Sequence, residues 1–503
     1  MATTYSGPTA TGTIGLAQLN NWMRDTYSDV ITTEQYFADT LYGPLIPMLK
    51  KDGFDGNNVL MELETSIPLD GQAFGDRATL PYGGTPEFTQ MYLPLKEVIV
   101  PAGVTEEALN RAVGPPGSWG KIQERALHYQ RQAFVELMNV ALMSDGTGRI
   151  ARVVSSSAGT ADVTVTCDNT YKDFGLENVQ AIRKGMWVEC MDASGDAAAD
   201  GNGVTQWKVT ARSFGDRANS TAKTGTFTIA CTTGQEATIA AFFEDNAVVF
   251  LGGTISKIAN TPDSVDGSVR YEITNGLSSY DIKTSLPMGL LGIVQTNATA
   301  DSGHEYAATS DMTMDKFQGL ARASYESMLS KFIGAGDFGG TDGTPADWDT
   351  SVITDAFIDR MNATGMEPNL LIAGAKLGTA LDRKNKNENN LMVTVSATES
   401  LNMPVYGARA GKPFIAPSGK LVKVMITERV PDNVLYGINT DSLVWRTKGN
   451  ADFKHYGSTL DPWILSPGNR IGLFECWLAM YSQLVALRCD THFCIQDLAT
   501  NVA

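Results

Sequence analysis

The residues best suited to metal binding lie close together near the end of the chain. Cys489, His492 and Cys494 fall within six positions, and Cys476 lies upstream. Thiolate and imidazole are ligands that a tetrahedral zinc ion prefers. In a strand, however, Cys489 points to the face opposite His492 and Cys494, so the groups do not converge on one ion. The spacing therefore favours a structural strand, and we expect no metal site.

Two glycine-rich stretches have the composition of phosphate-binding loops. Gly334-Ala-Gly-Asp-Phe-Gly339 has the spacing of the dinucleotide-binding fingerprint, but the pattern of residues 314–332 predicts a helix where that fingerprint requires a strand. Asp145-Gly-Thr-Gly148 lacks the Lys-Ser/Thr pair of a phosphate-binding loop and follows a helical pattern. We therefore expect no cofactor. The first stretch is predicted to be an interhelical loop and the second a glycine cap that ends a helix.

No hydrolase motif is present. The sequence contains 4 His, none of them in His-Glu-x-x-His, and it has no Gly-x-Ser-x-Gly. A pair of carboxylates acting as general acid and base remains open, but no pair stands out in the sequence. We predict that the chain has no catalytic residues and is not an enzyme.

The charge balance disfavours a protein that reads nucleic-acid sequence. The 503 residues include 39 Lys+Arg and 56 Asp+Glu, and the resulting formal net charge of -17 repels a phosphate backbone. The N-terminus has no basic segment followed by an apolar one, and no run of 18 apolar residues occurs. We expect a protein made and kept in a cytosol, without a membrane partner, whose Cys residues stay reduced and buried.

The first half of the chain alternates between extended and helical patterns. Residues 1–50 are rich in Thr and Gly and have no sustained heptad, which indicates an arm. Apolar and polar residues then alternate around Met61 and again around Leu93, on either side of a Gly- and Pro-rich break at 68–84. A two-stranded hairpin of this kind has too little core to stand alone. It must lie against another surface, of the same chain or of a partner.

A long helix and a β-rich block come next. Ser118 can cap a helix whose apolar residues recur every three or four positions as far as Val140. Between Arg149 and about Gly252 the period changes to two, in short runs separated by glycine-containing turns. This block predicts a small barrel or sandwich inserted as a separate domain. Asp145-Gly-Thr-Gly148 is then the joint between the helix and the insertion.

The remainder of the chain mixes helices and strands, which indicates an α+β arrangement and not a doubly wound one. The patterns predict helices at 314–332, 347–362 and 375–384, and strands at 368–373, 421–426, 434–438 and 474–487.

This order of elements resembles the major capsid protein of tailed bacteriophages, whose Hong Kong ninety-seven-like fold is shared with encapsulins. The resemblance extends over nearly the whole chain. The resemblance rests on five segments: the end of the predicted hairpin, the long helix and the residues that follow it, the Pro287-Met-Gly-Leu-Leu-Gly292 turn, the strand at 368–373 and the segment 474–495.

The resemblance implies seven parts: an N-terminal arm at 1–50, an E-loop hairpin at 51–104, a spine helix with part of the P-domain at 105–149, an inserted all-β domain at 150–255, a second part of the P-domain at 256–332, an A-domain at 333–440, and P-domain return strands with the C-terminus at 441–503.

The resemblance also implies a function without a catalytic site. Copies are expected to assemble as hexamers and pentamers into the icosahedral shell of a virion, around double-stranded DNA, in the cytoplasm of a bacterial host. Expected partners are a portal protein, a separate scaffolding protein, a decoration protein and the packaged DNA, which an acidic wall contacts weakly and without sequence specificity. Residues expected at the subunit interface lie in the E-loop and the spine: Phe74, Arg77, Tyr82, Phe88, Tyr92, Trp119 and Tyr129.

Some relatives join subunits by an isopeptide bond from a Lys at the E-loop tip. Residues 57–90 contain no Lys, and Lys96 lies near the base of the hairpin, so we expect no such bond here. Arg77 is a poor nucleophile because its guanidinium stays protonated, and it is better suited to an ion pair. Two alternatives remain: an encapsulin-like compartment and, in a different class, a carbohydrate-active enzyme built on the β block.

Overall fold

The computed structural model describes residues 13–14, 41–53, 58–66, 86–105, 122–144, 146, 148–167, 179, 181–191, 204–213, 225–245, 247–252, 257–258, 271–273, 281–282, 286–294, 312–314, 316–318, 320–321, 324–341, 345–389, 409–410, 414–427, 429–431, 433–448, 452–453, 464–465 and 473–500. Within these residues, no helix combines the length and the apolarity needed to span a bilayer.

The helices are α1 (Tyr42–Leu45), α2 (Ile122–Met143), α3 (Glu236–Phe242), α4 (Leu290–Val294), α5 (Thr350–Thr364) and α6 (Ala375–Asn389), with 3-10 turns at Ile46–Met48, Glu326–Met328, Ala335–Phe338 and Thr440–Ser442. The strands of the first half are β1 (Thr13–Ile14), β2 (Lys50–Gly53), β3 (Asn58–Ser66), β4 (Glu87–Pro94), β5 (Lys96–Thr105), β6 (Arg149–Ala158), β7 (Asp162–Cys167), β8 (Trp187–Met191), β9 (Trp207–Ser213), β10 (Gly225–Ala230) and β11 (Val248–Leu251). The later strands are β12 (Lys257–Ile258), β13 (Tyr271–Ile273), β14 (Asp281–Ile282), β15 (Met312–Met314), β16 (Lys316–Phe317), β17 (Leu320–Ala321), β18 (Lys331–Ile333), β19 (Leu370–Ala373), β20 (Arg409–Ala410), β21 (Phe414–Ile415), β22 (Leu421–Ile426), β23 (Leu435–Ile438), β24 (Leu443–Thr447), β25 (Asp452–Phe453), β26 (Ile464–Leu465), β27 (Leu473–Ala486) and β28 (Phe493–Ile495).

The first sheet is built on two long antiparallel strands that are distant in sequence. Its order is β1-β5-β27-β24-β2, with β25 and β26 also paired to β27. The β5–β27 pair runs from Leu473↔Thr105 to Ser482↔Lys96. Helix α2 lies on one face, where Gln130 donates hydrogen bonds to the carbonyls of Val100 (2.6 Å) and Cys476 (3.1 Å). These bonds fix the helix to both long strands.

Residues 41–49 lie in the core between α2 and this sheet. Leu41 and Leu45 are fully buried. The Tyr42 ring packs edge-on against Phe134 and Trp445, with centroids 6.4 and 6.5 Å away. The segment is therefore part of the core, although the sequence predicted an arm over 1–50. Its composition did not show this because the partners come from α2 and from β24, far along the chain.

The β-rich block forms a closed six-stranded barrel with the order β10-β7-β6-β11-β8-β9. Alternate residues of its strands point into a separate apolar core, as in β7, where Val163, Val165 and Cys167 are fully buried. Helix α3 adds Ile239 to that core and joins β6, because Ser156 donates to the carbonyl of Ala240 (2.7 Å). The predicted α+β class with an inserted β domain is confirmed, but the domain is not all-β because it contains the short helix α3.

The chain enters and leaves the barrel at the end of α2, next to two glycines. Gly146 and Gly148 have φ of 83° and 82°, which glycine adopts without steric cost. The Gly148 carbonyl accepts from the N–H of Leu251 (2.8 Å), at the end of β11, and the Gly146 carbonyl accepts from the N–H of Leu286 (3.0 Å). The incoming and outgoing strands are thus held together at this point. The glycine motif is a joint, as the sequence predicted.

The turn before α4 packs directly on the last turn of α2. A Cβ atom at Gly289 would lie 2.3 Å from the carbonyl oxygens of Ala141 and Ser144. The N–H of Met288 donates to Oε1 of Gln483 on β27 (3.0 Å). Only a residue without a side chain allows this approach, which explains the glycine in the Pro287-Met-Gly sequence.

The second sheet mixes parallel and antiparallel pairs in the order β18-β28-β23-β19-β22-β20, with β21 paired to β22. Helices α5 and α6 cover one face, in a core that includes Phe357 and Leu381. The sequence prediction of a helix at 314–332 is wrong. Short strands and a 3-10 turn occupy that segment, and β18 pairs in parallel with β28. Pairing with a strand about 160 positions away overrides a weak local helical pattern.

The contact at Gly289 gives a direct test of this packing. Replacing Gly289 with Ala places a methyl group on backbone carbonyls that cannot move without disturbing α2, so we expect a loss of about 1–3 kcal/mol in the free energy of unfolding. Gly53→Ala is the matched control, because nothing lies within 4 Å of its added Cβ. Thermal unfolding of both variants measures the difference. Equal stability of the two variants would contradict the packing.

Candidate functional site

The hairpin of β3 and β4 has one face on the protein core and one face exposed. Met91 is buried and pairs with Met61, which is partly buried. On the opposite face Glu64 pairs with Phe88, whose side chain is 57% exposed. A large exposed aromatic group on an extended hairpin is a candidate contact for another protein surface.

Three of the interface residues predicted from the sequence are among the residues that the structure describes. Phe88 and Tyr92 lie on β4, and Tyr129 lies on α2, partly buried, with its ring 6.0 Å from that of His128. Phe74, Arg77, Tyr82 and Trp119 lie outside the described residues.

Three buried polar side chains of α2 were missed by the sequence analysis. Besides Gln130, Asn139 accepts a hydrogen bond from the N–H of Tyr42 (2.7 Å). Glu136 binds two guanidinium groups: Oε1 accepts from Nε of Arg183 in the barrel (2.8 Å), and Oε2 from Nη2 of Arg429, after β22 (2.5 Å). Polar residues within an apolar helical pattern are the signal in the sequence, but it does not say which distant partners they meet.

The glycine motif at 334–339 does not form a dinucleotide site. A strand, β18, precedes it, which corrects the predicted helix, but the motif itself forms a four-residue 3-10 turn, Ala335–Phe338, and does not open an α-helix. The N–H of Gly334 donates to Oδ2 of Asp337 (3.1 Å). The carboxylate of the chain itself thus occupies the position where an anionic ligand would accept hydrogen bonds.

The predicted Cys and His cluster is a buried structural turn. The turn joins β27 to β28, and Cys489, His492 and Cys494 have no exposed surface. His492 Nδ1 accepts from the N–H of Asn439 (3.1 Å), so Nε2 must carry the proton and faces Ser442 Oγ at 3.3 Å. In this tautomer the ring cannot remove a proton from Ser442. Among the described residues, no group of three or more His, Cys, Asp or Glu could hold a metal ion.

An acidic cleft of about 710 Å³ lies beside β18, α5 and α6. Its charged lining residues are Lys331, Asp337, Asp347, Asp349, Asp355, Asp359 and Lys384.

Two carboxylates of this cleft have lowered pKa values. A hydrogen bond from Lys384 lowers the pKa of Asp347, and one from the Ser351 hydroxyl lowers the pKa of Asp349. A general acid at neutral pH needs a raised carboxyl pKa. These two carboxylates are therefore ionised and cannot supply a proton.

Further exposed apolar side chains lie on the β21–β22 pair of the second sheet and around the end of α5. Ser418 donates through its N–H to Glu367 (3.3 Å), which holds the β21–β22 turn beside the segment after α5. The exposed side chains of this region are Met361, Met366, Ile415 and Leu421. On the first sheet Ile99 and Tyr481 are likewise exposed. The chain thus presents apolar residues on separate parts of its surface.

The hydrogen bonding of two buried hydroxyl groups, on Ser442 and Tyr436, can be tested by substitution. Ser442 donates to the carbonyl of Asn439 (2.9 Å) and contacts His492, so Ser442→Ala should cost about 1–3 kcal/mol of unfolding free energy. Burial raises the pKa of Tyr436 well above its ordinary range, and its hydroxyl has no hydrogen-bond partner among the described residues. Tyr436→Phe should therefore be neutral or stabilising by up to about 1 kcal/mol. Denaturant unfolding measures both, and an equal loss in the two variants would contradict the assignment.

No family model matches the chain, and no curated protein is similar to it in sequence. Solved structures are similar along nearly its whole length. A chain of the cyanophage A-1(L) capsid is 10% identical with a TM-score of 0.47, covering 94% of this chain and 96% of that one. A chain from the capsid of a native GTA particle is 9% identical, with a TM-score of 0.40 and coverages of 96% and 98%. A chain from the capsid of Myoviridae phage XM1 is 10% identical, with a TM-score of 0.40 and coverages of 94% and 96%.

Proposed function

We propose that this chain is the major capsid protein of a tailed bacteriophage, and that its copies assemble as hexamers and pentamers into an icosahedral shell around double-stranded DNA. Its place is in the virion, after assembly in the cytoplasm of the bacterial host. In this proposal β3 and β4 form the E-loop, α2 is the spine helix, β24 to β28 belong to the P-domain and β19 to β23 to the A-domain. The role is structural and not catalytic.

The hairpin of β3 and β4 is the observation that carries the proposal. Its apolar face reaches the core through Met91, whereas Phe88 on its other face is exposed. A two-stranded ribbon is marginally stable by itself, so its exposed face gains from contact with a second surface. A neighbouring copy supplies that surface in a shell.

The separate apolar groups on the surface also support a lattice. A closed shell requires each copy to contact several neighbours through different, heterologous surfaces. Phe88 lies on the hairpin, and Leu421 lies on the second sheet, which has a core of its own. Two such regions allow contacts in two directions, as a shell subunit needs.

The remaining partners follow from the proposed role. A portal protein, a separate scaffolding protein and a decoration protein are expected to act with the shell. The net charge of -17 limits contact with packaged DNA to weak and non-specific contacts, because like charges repel.

The proposal predicts closed particles. Negative-stain electron microscopy of the protein produced together with its scaffolding and portal proteins should show icosahedral shells with a portal vertex. Dispersed monomers or small oligomers under the same conditions would overturn the proposal. Uniform shells that enclose protein cargo and lack a portal would indicate the encapsulin-like alternative.

A variant of the hairpin tests the interface. Phe88→Ser should leave the stability of the monomer unchanged, since the side chain is exposed, but should raise the protein concentration needed for assembly by about tenfold or more. Val154→Ser is the matched control, because Val154 is also exposed but lies on the barrel. Sedimentation of assembly reactions measures the effect. If the Phe88 variant assembles like the control, this residue is not in the interface.

The absence of Lys from residues 57–90 predicts a shell without isopeptide bonds between subunits. Mature shells boiled in detergent with reductant should run as a single 54.1 kDa band on a denaturing gel. Bands at multiples of that mass that survive this treatment would contradict the prediction. A shell held only by non-covalent contacts depends on buried interface area and on the interlocked hairpins.

A further inference from the structure

The carboxylate of Glu136 connects three parts of the protein. It lies on α2 and binds Arg183, which precedes β8 of the barrel, and Arg429, which follows β22 of the second sheet. The three side chains are 6%, 12% and 1% exposed, in that order. Each oxygen of the carboxylate serves a different guanidinium group, so Glu136 ties both units to the helix at one position.

Both arginines are held rigidly on their own units. Before β8, the N–H of Met186 donates to the carbonyl of Arg183 (3.1 Å), and Arg212 on β9 donates to the carbonyl of Ile182 (2.6 Å). After β22, the N–H of Thr427 donates to the carbonyl of Ala373 (3.0 Å), and the N–H of Arg429 donates to the Thr427 hydroxyl (3.2 Å). A displacement of either unit would therefore displace its arginine.

The barrel contacts the rest of the chain through apolar packing as well as through the joint at Gly146 and Gly148, since Phe250 of β11 lies in the core of the first sheet. A connection through two glycines with φ near 80° holds the two chain crossings together, but by itself it acts as a hinge. Val140 of α2 packs in the barrel core close to that joint. The Arg183–Glu136 contact lies one helical turn before Val140 on α2, farther from the joint. The ion pair adds a directional contact to the joint and to this apolar packing.

Burial of three charged groups is a poor way to gain stability. Desolvation opposes the Coulombic attraction, and apolar replacements of buried ion clusters are often as stable as the original or more stable. A buried ion cluster does impose geometry, because its hydrogen bonds form only in one arrangement. The triad lies where α2, the barrel and the second sheet meet, so its fixed geometry constrains how these three parts are arranged.

We propose that the Arg183–Glu136–Arg429 triad is a latch that sets the orientation of the inserted barrel relative to the second sheet, and that it contributes little to the stability of the fold. Without the latch, the barrel remains folded and attached through its glycine joint but takes a range of orientations. The proposal concerns one chain and does not depend on assembly into a shell.

Distance measurements within the full-length chain test the latch. Spin labels are placed at Val154→Cys on the barrel and Leu421→Cys on the second sheet, both exposed positions, in a Cys231→Ser background with the buried Cys residues retained. Labelled protein is diluted with unlabelled protein, so that only distances within one chain are recorded. The variant Glu136→Leu/Arg183→Met/Arg429→Met removes all three charges at similar volume. Arg183→Met alone frees the barrel and keeps the Glu136–Arg429 pair. Arg446→Gln removes a different ion pair, with Asp52, as the control.

The latch predicts a distance distribution at least twice as wide in the triple variant and in Arg183→Met, with a Tm within a few degrees of the parent protein. Arg446→Gln should keep the narrow distribution of the parent. A narrow distribution in both triad variants would overturn the proposal, because joint and core packing would then set the orientation alone. A loss of folding in the triple variant together with a narrow distribution in Arg183→Met would also overturn it, by making the triad a source of stability.

Discussion

The fold depends on how one largely buried helix satisfies its polar side chains. A buried polar group without a partner costs free energy, so each such residue on α2 requires a specific partner. Gln130 donates to backbone carbonyls of the first sheet, and Asn139 Oδ1 accepts from the N–H of Tyr42. Glu136 forms ion pairs with two arginines. Each contact reaches a different part of the chain. Helix α2 therefore makes polar contacts with the first sheet, the barrel and the segment after β22, in addition to the apolar core that these parts share.

Close backbone approach completes this arrangement at the end of α2. Gly289 brings the chain that returns from the barrel onto the last carbonyls of the helix, and Gln483 of β27 accepts a hydrogen bond from Met288. The barrel can therefore be inserted without separating the sequence segments on either side of it. An insertion at such a closed joint disturbs the surrounding fold little, because its two ends are adjacent.

The candidate chemical motifs and the exposed apolar side chains both bear on the proposed role. The motifs that could serve catalysis or cofactor binding are occupied by the protein itself: Asp337 binds the N–H of Gly334, and His492 is held by Asn439 and Ser442. The features left for partners are exposed apolar side chains such as Phe88 and Leu421. These exposed side chains agree with the proposed role in a shell.

The sequence by itself determined the elements whose patterns are local. The barrel strands, the long helix ended by glycine and β22 at Leu421–Ile426 follow from periodicity and turn residues, because side-chain spacing alone decides which face is buried. Only the tertiary structure decided the rest. The segment 314–332 has a helical pattern, yet β18 forms because β28 offers a parallel partner, and residues 41–49 are core because α2 and β24 surround them. The partners of Glu136 were not predictable for the same reason: an ion pair between Glu136 and Arg429 depends on a distance in space, and the local sequence pattern carries no record of that distance.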